Sequence, residues 1–287
     1  MALRDIKQRV KSIESTKQIT KAMNLVATSK LQRIKGRVIS ARPYLQEIRR
    51  VISNLILQTE KLENIYTLSR PVENTLVIII SGDRGLCGAY NTNVQKEAVK
   101  HISGRKNVKL IVLGAKAVKF FTDGDCEIVR YVTGISDKPF YDDAADIGAL
   151  ARKMFESGEV DEVLVSYTKF ESMLSYRTVT ETVLPIDVTK FELEEEAERE
   201  YSDIMEFEPK AEVILEHLLP KYINVLLFDA MLESAACELA ARSSSMDSAT
   251  KNAEERIEEM TLAYNRARQS VITKEIIEVV AGANALN

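Results

Sequence analysis

Tryptophan is absent from this 287-residue chain, histidine occurs twice and cysteine three times. Each scarcity removes a class of function. Neither His101 nor His217 has a Ser or Cys nucleophile motif beside it, so nucleophile-and-base catalysis finds no support. Cys87, Cys126 and Cys237 are odd in number and lack a CxxC spacing, which argues against a disulfide frame or a metal site and predicts reduced thiols in a cytoplasmic setting. No apolar run approaches the roughly 18 residues of a membrane span, and the opening MALRDIKQ is neither an apolar leader nor a transit-like preface. A soluble, untargeted chain is expected, one that can still dock on a membrane complex. A hydrophobic content of 45% argues against disorder.

Proline and glycine are scarce at the C-terminal end. Pro220 to about Ala283 contains no internal proline and one glycine, Gly282, and is dense in Ala, Leu, Glu, Lys and Arg. This predicts one long helix with Pro220 in its first turn, about 64 residues spanning on the order of 95 Å. Ile257, Met260, Tyr264, Ala267 and Val271 step by three and four, then the row shifts to Ile272, Ile276, Val279 and Ala283, a coiled-coil seam with one register slip. The other end of the chain repeats the rhythm in Leu31, Ile34, Val38, Ala41, Leu45, Ile48, Ile52 and Leu55. Two such helices can pair only antiparallel, with a separate body between them. Pro43 predicts a kink, not an end. The seam is thin from Thr16 to Ser29 and over Arg242 to Ala253 (RSSSMDSATKNA), where small residues bury little apolar area. That section is expected to lie inside another protein.

Between the helices, Thr75 to Ile80, Val108 to Leu113, Glu127 to Val132 and Val160 to Tyr167 read as strands, and Thr92 to Ile102, Ala115 to Phe121 and Asp142 to Glu156 as helices. Continuous apolar runs suit strands buried on both faces, so the expected body is α/β with a mainly parallel, Rossmann-like sheet. Arg177 to Leu184 alternates polar and apolar, as an antiparallel edge strand does. The acidic segment Glu192 to Glu208 reads as a loop or short strand, and Pro209 opens a short helix to Leu219. The expected division is 1–60 for the N-terminal coiled-coil helix, 61–208 for the α/β domain and 209–287 for the C-terminal helix.

The net charge of -4 hides two opposed segments. Residues 1–50 carry 13 Lys/Arg against Asp5, Glu14 and Glu47, and residues 191–216 carry 11 acids against Arg199 and Lys210. A basic helix suits nucleic acid, a membrane surface or an acidic protein. Aromatic residues for base stacking are nearly absent from it, which disfavours nucleic acid.

Ser81 to Asn91 (SGDRGLCGAYN) follows the first strand and precedes a helix, the context of a phosphate loop. Its glycines at 82, 85 and 88 make GxxGxxG, not GxGxxG, and no Gly-Lys-Ser/Thr follows. A sharp connection with Asp83 and Arg84 as polar contacts at its tip is the better reading. Three functions stay open on the residues alone: a shaft, a nucleotide-dependent enzyme with helical extensions, and a coiled-coil scaffold with a basic face.

Ile6 to Leu31 (IKQRVKSIESTKQITKAMNLVATSKL), the loop at Ser81 to Asn91, and Asn252 to Leu286 (NAEERIEEMTLAYNRARQSVITKEIIEVVAGANAL) resemble the γ subunits of F-type ATP synthases. The resemblance implies an antiparallel coiled-coil shaft, one copy per complex, inside a ring of three α and three β subunits. The α/β body would bear on the ε subunit and on the membrane rotor ring of c subunits, at the cytoplasmic face of a bacterial cell membrane. It implies rotation driven by ion flow, with no active site, cofactor or metal in this chain. Lys21, Met23 and Lys30 lie at or beside the family's KAM motif, which faces an acidic β lever loop. Arg268, Gln269 and Thr273 match its ARQ and IT positions, which contact a second β loop. Val279, Val280, Ala283 and Leu286 belong to a small, neutral tip, unlike the Lys- or Arg-bearing last turn of a water-exposed helix, and would form an apolar bearing. The chain departs from the family at Asn24, Leu25 and Asp247, and in the added Gly82.

Overall fold

The computed structural model describes residues 3–59, 64–172, 175–189, 191 and 208–285. The order of elements is α1 (Leu3–Leu57), β1 (Asn74–Ile80), α2 (Tyr90–Ile102), β2 (Asn107–Leu113), α3 (Ala115–Thr122), β3 (Glu127–Val132), α4 (Tyr141–Glu156), β4 (Glu162–Phe170), β5 (Tyr176–Leu184) and α5 (Ala211–Ala285). The five strands form one sheet in the order β3-β2-β1-β4-β5. β1 pairs in parallel with β2 and β4, β2 with β3, and only β5 runs antiparallel, along the outer edge of β4. The predicted α/β class, the mainly parallel sheet, the antiparallel edge strand and the flanking helices are all present. The acidic stretch at 192–207 and residue 286 lie outside the described residues.

By compactness the chain divides into a unit of residues Ser29–Ala241 and a unit made of Met1–Thr28 with Arg242–Asn287, the divisions falling within the two long helices. In the first unit the continuous apolar runs of the sheet split by pleat between two cores. Leu76, Ile78 and Ile80 of β1 and Val163 and Val165 of β4 face α4, α1 and the start of α5, through Ile147, Phe155, Ile52, Leu55, Leu219 and Ile223. Val77, Ile79, Leu110 and Val112 face α2 and α3, through Val94, Ala98, Ala117 and Phe121. A third cluster joins Leu31, Ile34 and Val38 of α1 to Leu232, Ala235, Ala236, Leu239 and Ala240 of α5, with Tyr90 beneath them. The predicted row on α1 is buried or half-buried throughout from Leu31 to Leu55.

Pro220 is not at a helix start. α5 begins at Ala211 and passes through Pro220, so the expected short helix to Leu219 and the expected long helix are one element. The proline removes one helical N–H, and flanking Leu219 and Ile223, fully buried in the core, hold the helix across the gap. α1 likewise continues through Pro43.

In the second unit α1 and α5 pair antiparallel. Lys17 meets Glu254 at 2.9 Å, the Thr20 and Thr250 hydroxyls meet at 2.8 Å, and Thr28 meets Ser243 at 3.1 Å. The Ser243 hydroxyl also donates to Asn24 Oδ1 at 2.7 Å. The thin seam is therefore closed by side-chain hydrogen bonds between small polar residues, with Ala27 and Met246 buried among them. Pairing ends where α1 begins. Ile257, Met260, Tyr264 and Ala267 are half-buried, whereas Val271, Ile272, Ile276 and Val279 are exposed. The expected second half of the seam thus has no intrachain partner among the described residues.

Candidate partner interface

The residues expected to touch a partner fall into three groups. On α1, Lys21 is exposed with no ion-pair partner among the described residues, and Met23 is half-buried. Around them Ile19, Leu25 and Val26 are 56–67% exposed, an apolar surface on a helix whose inner side is already used. Lys30 differs. Its Nζ lies 2.6 Å from Asp137 Oδ2, in the loop after β3, and two turns on Arg37 donates to the Pro139 carbonyl at 2.7 Å. Part of the basic character of α1 is therefore spent on the chain's own body, as Arg42 also shows by reaching the Phe170 carbonyl at 3.3 Å and Glu233 at 3.6 Å.

On α5, Arg268, Gln269 and Thr273 are all exposed, beyond the last hydrogen bond to α1. At the tip Val279 is 72% and Val280 53% exposed, Ala283 lies on the same helix, and Leu286 is outside the described residues. No helix among the described residues is long and apolar enough to cross a membrane, and no group of metal-ligating side chains occurs among them.

The glycine loop is not a free tip. The Asp83 carboxylate accepts from the N–H groups of Ala115 at 3.0 Å and Ser136 at 3.2 Å, while the Asp83 N–H donates to the Ser136 hydroxyl. Burial alone would raise the pKa of Asp83, but N–H donors at Gly134, Ala115 and Ser136, with the Ser136 hydroxyl, outweigh it and hold the carboxyl below its ordinary value. Asp83 so ties the carboxyl ends of β1, β2 and β3 together, while Arg84 and Leu86 remain exposed. Gly114 is needed at this junction, because its φ is +95° and a Cβ there would stand 2.3 Å from the Ser81 carbonyl oxygen. The Gly82 N–H, which a phosphate loop would offer to an anion, is taken by Asn91 Oδ1 at 2.9 Å.

A second polar cluster escaped the sequence reading. Glu233 of α5, buried, and Asp229, half-buried, sit among Arg42, Arg49, Lys169, Glu181 and Tyr167. Glu233 is 4% exposed, and burial first, then the nearby Asp229 charge, push its pKa up to about 7 against the opposing Phe170 N–H, Lys169 and Arg42. A one-turn spacing of acids on a helix gives no warning of this, since burial is decided by the strand that packs against it.

The sequence model of the ATP synthase family matches residues 2–286. The chain is 37% identical over 286 residues to an ATP synthase gamma chain of Alkaliphilus metalliredigens, covering 100% of this chain and 99% of that one. It is 40% identical to an ATP synthase gamma chain of Heliobacterium modesticaldum, covering 99% of each. Its fold resembles a chain in the OSCP/F1/c-ring structure of the Euglena gracilis mitochondrial ATP synthase, with TM-score 0.67, 17% identity, and coverage of 99% of this chain and 94% of that one. Agreement over the whole length, in sequence and in fold, places the chain in the ATP synthase family, among its gamma chains.

Proposed function

We propose that this chain transmits rotation between a membrane ion-driven ring of c subunits and the catalytic sites of a head of three α and three β subunits. One copy would serve each complex, peripheral to the cytoplasmic face of the membrane, with the body carrying ε. The observation that carries the reading is the unpaired end of α5: apolar Val271, Ile272, Ile276 and Val279 keep a seam's character yet are exposed where α1 has run out. An apolar row of that length left in water is a surface for a partner. In this reading Lys21 and Met23 face the β lever, with Lys30 shared between that lever and Asp137. Arg268, Gln269 and Thr273 meet a second β loop, and Val279, Val280, Ala283 and Leu286 turn in an apolar sleeve. Lys21 supplies long-range attraction to an acidic loop without a fixed bond, which is what repeated engagement and release require. Mixing the purified chain with its α and β subunits tests the reading. Co-assembly with one copy per three α/β pairs supports it, and failure to co-assemble removes it.

A further inference from the structure

The crevice in which sheets of this order bind ligands is filled here by the chain itself. Because β1 has β2 on one side and β4 on the other, the connections from β1 and β4 leave in opposite directions, and a crevice opens at the carboxyl ends of these strands. β1 stops pairing at Ile79 with Ser166, while β4 runs on to Phe170. α5 lies against that extension. Ser234 Oγ accepts from the Thr168 N–H at 3.3 Å, Cys237 Sγ donates to the Thr168 carbonyl at 3.5 Å, and Glu233 Oε2 accepts from the Phe170 N–H at 3.3 Å.

One turn further along α5, Glu238 reaches the β1–α2 loop. It is 1% exposed, and Gly82 is buried beneath its carboxylate. A methyl group at Gly82 would stand 2.8 Å from the Glu238 carboxyl carbon, 2.9 Å from its Oε1 and 2.9 Å from Asn91 Oδ1. No side chain fits there with Glu238 in place. A shift of the carboxyl group to make room would carry it toward the small cavity that it lines with Ser81, Tyr90 and Ser234, away from its seat on the glycine. The loop that follows β1 therefore holds a carboxyl group, and that group belongs to α5.

We propose that Glu238, seated on Gly82, is a positioning residue that keys α5 to the sheet, so that torque passes between the body and the shaft helix through a polar peg. The apolar contacts beside it, in the cluster that holds Ala235, Leu239, Leu31 and Ile34, resist separation through buried area and slip through interdigitation, but they fix position less sharply than a directional fit. A buried polar group fitted to one glycine resists both, since any shift leaves it either clashing or without its surroundings. This inference rests on the rotor reading.

The test uses the complete complex in vesicles, with copy number per head measured first for the unaltered chain and every variant. Absence of the unaltered chain from the complex would count against the rotor reading, and coupling is read only from assembled complexes. The readout is ions pumped per ATP hydrolysed, which a loss of stability alone does not change. Glu238→Ala should lower it about threefold or more while leaving head hydrolysis within about twofold, and Glu238→Gln, which keeps the shape, should stay within about twofold of the unaltered chain. Gly82→Ala should lower coupling and thermal stability on its own, and should cost less when added to Glu238→Ala, where the contacts with the Glu238 carboxyl are gone and only that with Asn91 Oδ1 remains. Unchanged coupling in Glu238→Ala, or strictly additive losses of thermal stability in the Gly82→Ala/Glu238→Ala pair measured on the isolated full chain, would overturn the proposal.

Discussion

Lys30 and Asp137 face one another at 2.6 Å, an ammonium of α1 against a carboxylate of the loop that follows β3. Both are partly exposed, at 41% and 30%, so the pair contributes about 0–1 kcal/mol at most. Its value lies in direction: with Arg37 on Pro139, it fixes where that loop meets the helix.

Charge reversal separates this role from the one proposed for Lys21. Lys30→Glu should lower the melting temperature of the isolated chain slightly, and Asp137→Lys added to it should restore the loss. Lys21→Glu should leave the isolated chain unchanged and reduce coupling only in the assembled complex. A double-mutant cycle in thermal unfolding, followed by ion pumping, checks both. Coupling that is indifferent to Lys21→Glu would remove the charge role at the β lever.

Glu233 makes the chain's stability depend on pH near neutrality. Its folded pKa, about 7, lies above the ordinary carboxylate value, so the native state holds a proton that the unfolded chain has released. Stability from this group is therefore fully present at acid pH and falls as pH rises toward 7. Glu233→Gln keeps an acceptor for the Phe170 N–H and should remove this slope, stabilising the chain by on the order of 1 kcal/mol at pH 8 and little at pH 5. Equal melting shifts at the two pH values would contradict the assignment.

Asp83 has the opposite sign. Its carboxyl is held below the ordinary value by N–H donors, so its contribution is present at neutral pH and disappears as pH falls through the folded pKa. Asp83→Asn should lower the melting temperature at pH 7, with the difference from the unaltered chain shrinking below about pH 4. Urea unfolding across that range measures it.

The tip should matter to rotation but not to folding. Val279 is 72% exposed, so ending the chain after it should leave the melting temperature of the isolated protein unchanged. In the complex that truncation should preserve hydrolysis with some loss of complex stability, whereas Ala283→Glu should slow rotation by placing an unpaired charge in an apolar sleeve. Single-molecule rotation decides it: loss of torque on truncation, or no slowing by the charge, would end the bearing reading.

Most of the architecture was legible because burial on both faces leaves a plain trace. Runs such as Leu76 to Ile80 and Leu110 to Leu113 have nowhere to place a polar side chain, and the polar alternation of Arg177 to Leu184 marks an edge. The α1 row was legible for the same reason. Pro220 misled, because local propensity favours proline in a first turn and says nothing of a core able to carry the helix through it. The second half of the α5 seam was legible as apolar but not as unpaired, since that depends on where α1 begins. At the contact sites, Lys30 on Asp137 and Glu238 on Gly82 join residues 107 and 156 positions apart, and no local pattern links them.

The hydroxyl seam also bears on how the protein is made. Thr20 and Thr250 are separated by 230 residues, so at about 5–20 residues per second the start of α1 leaves the ribosome on the order of 10–50 s before its partner exists. A leucine seam would use that interval to pair with the same helix on a neighbouring nascent chain. Threonine, serine and alanine bury too little to hold such a mispairing, yet they close readily once the far end arrives. The weakness of this section in isolation thus gives residues 16–29 little hold on a neighbouring copy during synthesis.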